Sequence, residues 1–209
     1  MAQLCEALIS ADIAFDCDVM SVRGMEADGL IINREDVDFA NCVVDSTNNN
    51  IVKTLVLKTG KKAYEVAQLG NTPFTGLASN LNVGTYRNTW THDIPIAVLA
   101  NDPTACNKII DALTNGNFVL ILKNKNKGAN GDGEYQIFGY HQGCRASAGT
   151  NDKYSEDTEG GWLITLQVQN APKSGMFLWN TDATTTAAQY ESLKSASCPT
   201  SNAWLSPRH

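Results

Sequence analysis

Along most of this chain the apolar residues fall at every second position, and that period narrows the fold more than any other feature. Tyr86, Asn88, Trp90, His92, Ile94, Ile96 and Val98 share one face of an extended segment; Thr85, Arg87, Thr89, Thr91 and Asp93 share the other. Such alternation specifies a strand with one packed face and one wet face. Pro95 lacks an N–H, which places it at an edge or a bulge. Phe118, Leu120 and Leu122 alternate with Val119 and Ile121, so this strand is apolar on both faces and central to its sheet. Tyr135, Ile137 and Gly139 supply its partner across a loop of Lys, Asn and Gly in which Asn130-Gly131 signals a turn. Trp162, Ile164, Leu166 and Val168 alternate with Leu163, Thr165, Gln167 and Gln169. Residues 29–33 and 42–46 read as short strands, and residues 51–58 and 62–68 as a hairpin about Thr59-Gly60-Lys61.

Helical periodicity is confined to two places. Over residues 102–115, Cys106, Ile109, Ile110 and Leu113 form one apolar face, with Asn101 or Asp102 as cap, Pro103 in the first turn and Asn115-Gly116 as the stop. A weaker pattern covers residues 186–195. Eight to ten strands with one dominant helix exclude a doubly wound parallel sheet. The expected fold is mainly β, an antiparallel β-sandwich or barrel with one flanking α-helix. Its β domain spans residues 1–180, followed by a C-terminal arm or appendage over 181–209.

The chain has 209 residues, 16 Lys and Arg against 22 Asp and Glu, and a net charge of −6. Its charged fraction, 18%, falls below the ~25% of typical domains, the polar weight lying in Asn, Thr, Ser and Gly. This acidity excludes a protein that wraps nucleic acid through clustered cations. It does not exclude one past which nucleic acid slides. No apolar run approaches the ~20 residues of a bilayer span, and the N-terminus lacks the basic start and apolar stretch of a signal peptide, so the chain reads as made in the cytoplasm without a membrane partner. Cys5, Cys17, Cys42, Cys106, Cys144 and Cys198 are scattered, which favours reduced, mostly buried thiols over a metal site.

No catalytic constellation emerges, and no metal or cofactor is expected. His92 and Asp93 point to opposite faces of their strand and make no dyad. His141 and Cys144 flank a turn with no third group to orient them, which leaves a thiol enzyme as the weakest reading. His209 is terminal. Residues 124–134 superficially resemble a calcium loop, but strands flank it and lysines occupy its early positions. Lys123, Lys125 and Lys127, like Lys53, Lys58, Lys61 and Lys62, read as solvated strand ends. Of the tryptophans, Trp90 and Trp162 read as core, whereas Trp179 and Trp204 lie in the irregular C-terminal part. A carbohydrate-binding β-sandwich module using exposed tryptophans is therefore the alternative function.

One ordered set of segments carries a specific likeness: Phe15-Asp16-Cys17, Leu30-Ile31-Ile32-Asn33, Arg34-Glu35-Asp36-Val37, Thr72-Pro73-Phe74-Thr75 and Gly84-Thr85-Tyr86. It continues through the long strand and the helix to Phe118-Val119-Leu120-Ile121-Leu122, Tyr135-Gln136-Ile137-Phe138-Gly139, His141-Gln142-Gly143-Cys144 and Gly160-Gly161-Trp162-Leu163-Ile164-Thr165-Leu166. Over residues 12–180 this order resembles the tail tube proteins of tailed bacteriophages, especially those of phages and prophages of Bacteroides-type gut bacteria. The resemblance implies a β-sandwich or barrel whose copies join through their sheets into hexameric or dodecameric rings. Such rings line the DNA-ejection channel of the tail or neck of a virion assembled in the host cytoplasm. It implies adjacent tail or neck ring proteins as partners, genomic DNA passing without specific binding, and no catalytic residues. An acidic chain suits a channel wall that does not retain a polyanion, and the polar face of the long strand would form such a wall. Leu81, Val83 and Tyr86 lie in and beside the loop joining two long strands, which makes them the candidate subunit contacts. The long loop over 123–133 and the tail beyond Met176 would block open-ended stacking. That leaves a single neck or tail ring as an alternative to a long tube.

Overall fold

The computed structural model describes residues 9, 11–13 and 22–196. Cys5, Cys17, Cys198, Trp204 and His209 lie outside the described residues. Strands take up 37% of the structure against the ~20–25% of average proteins, so the chain is mainly β. Eleven strands form two sheets: β1 (Met25–Asn33), β2 (Val43–Val44), β3 (Ile51–Thr54), β4 (Tyr64–Ala67), β5 (Ala78–Asn82), β6 (Thr89–Val98), β7 (Phe118–Asn124), β8 (Tyr135–Phe138), β9 (Arg145–Thr150), β10 (Trp162–Ala171) and β11 (Met176–Leu178). The larger sheet runs β2-β3-β11-β8-β7-β1-β4 and the smaller β5-β6-β10-β9. Every pairing is antiparallel except β3 with β11.

β7 is central to the larger sheet, as its two apolar faces require. Phe118, Leu120 and Leu122 pack with Ile94, Ile96, Ile164, Leu166 and Val168 of the smaller sheet, a shared apolar layer between the two. Val119 and Ile121 face the other way, into a second cluster with Leu30, Ile32, Val37, Leu55 and Leu57. Tyr190 and Leu193 close that cluster, so packing continues past residue 180. They belong to or follow helix α2 (Ala183–Ser192), which Asp182 caps through the Thr185 N–H (2.8 Å).

Residues 51–68 do not form a hairpin. β3 and β4 lie near opposite edges of the larger sheet. Between them the chain crosses under the sheet because Leu55, Leu57 and Ala63 are buried there, and the Lys58–Lys61 turn reverses only the connection. Lys61 anchors it on Asp36 (2.9 Å). Burial alone would raise the Asp36 carboxyl, but hydrogen bonds from Asn33 and Lys61 outweigh it and hold the group below its ordinary value.

The flanking helix, α1, covers residues 103–115 in three continuous stretches: Pro103–Ala105, a π-helical Cys106–Ile110, and Asp111–Asn115. Asp102 caps it, accepting from the N–H groups of Thr104 (2.9 Å) and Ala105 (3.0 Å). The π turn carries an extra residue and shifts the helical phase. Ile110 and Leu113 reach the core as expected, but Ile109 remains 43% exposed. The Gly139–Gly143 segment after β8 is a tight return: Gly143 has φ +84°, and a Cβ there would strike the Asn117 side chain. Gly161 leads into β10 so close to the Val98 carbonyl that a Cβ would sit 2.5 Å from it.

Candidate functional site

The smaller sheet carries the surface features that its core does not require. β5 and β6 pair from Ala78↔Asp93 to Asn82↔Thr89, and the strand begins at Thr89 rather than Thr85. Residues 83–88 therefore project as an unpaired tip. Leu81 is 49%, Val83 83% and Tyr86 100% exposed. The tip is fastened only lightly: the Gly84 N–H donates to Asn88 Oδ1 (3.3 Å), and Arg87 Nη2 donates to the Pro172 carbonyl (3.4 Å). Exposed large apolar side chains at a loop end contribute nothing to a monomer, whereas covering each one is worth ~1.5–3 kcal/mol.

The outer face of this sheet is polar and nearly uncharged. Alternation puts His92, Ile94 and Ile96 inward, so Thr91 and Asp93 face out. Cross-strand pairing sets Gln167 opposite both Asp93 and Arg145, and Thr165 opposite Pro95. Side chains bond across the face. Gln167 Nε2 donates to Asp93 Oδ1 (2.6 Å), Gln169 Nε2 to Gln167 Oε1 (2.6 Å), Asn82 Nδ2 to Thr91 Oγ1 (2.6 Å), and Ser147 Oγ to the Thr165 carbonyl (3.2 Å). This network holds long amides flat instead of presenting them as flexible donors.

The residues with intrinsic reactivity are scattered. His92 is buried and bonded through Nδ1 to Ser79 Oγ (2.7 Å), and burial pushes its pKa down against the opposing pull of the Lys173 backbone and Asp93. His141 is an exposed residue whose ring is also shifted down, by burial first and then by Lys173 and Arg34. Cys144 is wholly enclosed in the core, and burial drives its thiol far above the ordinary range. A crevice of about 20 Å³ bordered by His92, His141 and Lys173 has room for about one water molecule. Among the described residues no three His, Cys, Asp or Glu side chains gather as a metal site would require. Cys42, Cys106 and Cys144 are free thiols.

The lysine clusters are largely tied down. Lys123 pairs with Asp28 (2.5 Å), Lys127 with Glu134 (2.9 Å) and Lys53 with Asp45 (2.5 Å). Trp90, Trp162 and Trp179 are each half-buried, and Trp162 Nε1 donates to Asn101 Oδ1 (3.2 Å). Of the sequence candidates, the structure brings Leu81, Val83 and Tyr86 to one hairpin end. Period-two reading found the polar face but not its amide network, since which strands are neighbours is settled only by the fold. Compared with family models, with curated proteins and with solved structures, the chain matches none of them.

Proposed function

We propose that this chain is a structural subunit of a tailed-phage virion, a tail-tube-like sandwich that closes into rings lining the DNA-ejection channel of the tail or neck. The observation that carries this reading is the hairpin tip. The two cores are complete without Leu81, Val83 and Tyr86, so an apolar projection this exposed is accounted for by a neighbouring subunit.

The outer face of the smaller sheet supports the same reading as the channel wall. Gln167, Gln169, Asn82 and Ser147 are each engaged by hydrogen bonds within the face, and its charged groups, Asp93 and Arg145, have opposite sign. Such a wall offers DNA no cluster of cations among the described residues, Arg145 standing alone beside Asp93 and Gln167, and the net charge of −6 disfavours retention of a polyanion. The mechanism is mechanical: subunits close side by side, rings dock on neighbouring tail or neck proteins, and the genome passes without being gripped. The test is electron microscopy of the purified protein, with its mass measured in solution on the same sample. Closed rings or stacked tubes with an open centre are expected. A strictly monomeric protein that never enters virions would refute the proposal.

A further inference from the structure

A wide cleft opens between the two sheets, about 1420 Å³ in volume, at the end of β6 opposite the hairpin tip. Two strands present to it backbone that no other described strand pairs. In β4, the Gln68 N–H donates to the Ala27 carbonyl (2.8 Å), which sets the phase of the ladder: Tyr64 and Val66 bond to β1, and the N–H and C=O of Glu65 and Ala67 point outward. In β6, pairing with β5 stops at Asp93. The Pro95 carbonyl points away from β10 and accepts from Gln68 Nε2 (3.3 Å). By alternation both backbone groups of Ala97 also point into the cleft. Pro95 thus sits where a missing N–H costs no ladder bond.

The walls between these edges are apolar. Tyr64, Leu69, Leu99, Ile109 and Leu163 line them, and Leu69 is 87% exposed. The π turn of α1 is what delivers Ile109 to this surface. Charge on the rim is one-sided: Glu156, Asp157 and Glu159 stand against Lys108.

We infer that this cleft is the socket for the hairpin tip of a second copy, whose residues 81–87 add to the open edges of β4 and β6. The chemistry of the two surfaces matches. The tip offers Leu81, Val83 and Tyr86 to apolar walls, Arg87 to an acidic rim, and the backbone of residues 83–88, which lies outside the β5–β6 ladder, to strand edges. Tip and socket lie at opposite ends of β6, whose ten residues span roughly 30 Å at ~3.3 Å each. One copy therefore cannot satisfy itself, and the contact is head-to-tail, the kind that generates rings or stacks. The inference rests on the subunit reading above and names the surface that receives the tip.

Photo-cross-linking of the full chain tests it, with benzoylphenylalanine placed at Tyr86 in one sample and at Leu99 in another, and the linked peptides mapped by mass spectrometry. Expected are links from position 86 to residues 64–70, 95–100 or 156–163 of another copy, and from position 99 to residues 81–87 of another copy. Arg87→Glu should raise the concentration needed for assembly on the order of tenfold, and adding Glu159→Arg should recover part of that loss. Both positions are exposed, so folding does not depend on them. Rings whose position-86 links fall elsewhere would overturn the socket while leaving the ring reading intact. Links from position 99 to residues 1–21 of the same chain would also overturn it. A protein that never associates would remove both.

Discussion

The two sheets of this protein are built from similar strands yet meet opposite surroundings. The larger has an apolar layer on each face: Leu120 and Leu122 pack toward the smaller sheet, Val119 and Ile121 toward α2 and the chain crossing beneath. The smaller is apolar on one face and carries a flat amide and hydroxyl network on the other. The larger sheet therefore supports a core on each face, and the smaller sheet shares one of them. The smaller sheet spends its second face, its hairpin tip and its half-unpaired β6 on surfaces that a monomer does not need.

The sharpest way to break this comparison is to truncate equivalent positions in each sheet. Ile121 is wholly buried on the larger sheet's second face, and Ile121→Ala should cost about 2–5 kcal/mol in urea denaturation. Thr165→Ala, on the outer face, should stay within about 0.5 kcal/mol. Similar losses at both positions would show that the outer face is part of the fold's support.

A smaller effect is expected at Asp36, which holds the crossing chain under the larger sheet. Asp36→Asn should destabilise by about 1–3 kcal/mol at neutral pH, by weakening the bonds to Lys61 and Asn33. Because the folded carboxyl lies below its ordinary value, its contribution is fully present above the unfolded pKa near ~3.9 and is lost as pH falls through the folded pKa. The gap between variant and native protein should close across that acidic window in pH-dependent unfolding. A gap that stays constant would assign the effect to packing instead. The smallest thermodynamic change is expected at the tip: Tyr86→Ser should leave unfolding within about 0.5 kcal/mol yet weaken assembly measured by sedimentation.

Much of the larger sheet is legible in the sequence because burial on both faces leaves an unbroken apolar run, as in β7. β6 is legible for the opposite reason, its strict alternation. β9 is not, since Arg145, Ala146, Ser147, Ala148 and Gly149 carry no apolar rhythm and the strand is defined by its partner β10. The 51–68 segment misleads because a turn signal at Gly60 is genuine while the strands on either side pair elsewhere. Ile109 escapes its helical face because the register of a π turn is set by backbone bonding that apolar spacing does not report. The hairpin tip could be read directly, as apolar residues in a loop. The cleft could not, because its open edges come from β4 and β6, two strands distant in sequence, and consist of backbone groups that every residue carries.

The most direct test of the central claim is a cryo-electron microscopy map of the assembled particle, resolved well enough to trace β6 and β10. The expected result is a ring in which Thr91, Asp93, Thr165 and Gln167 face the open channel and Tyr86 is covered by a neighbouring subunit. A particle in which that face lies on the outside, or in which Tyr86 remains in solvent, would contradict it.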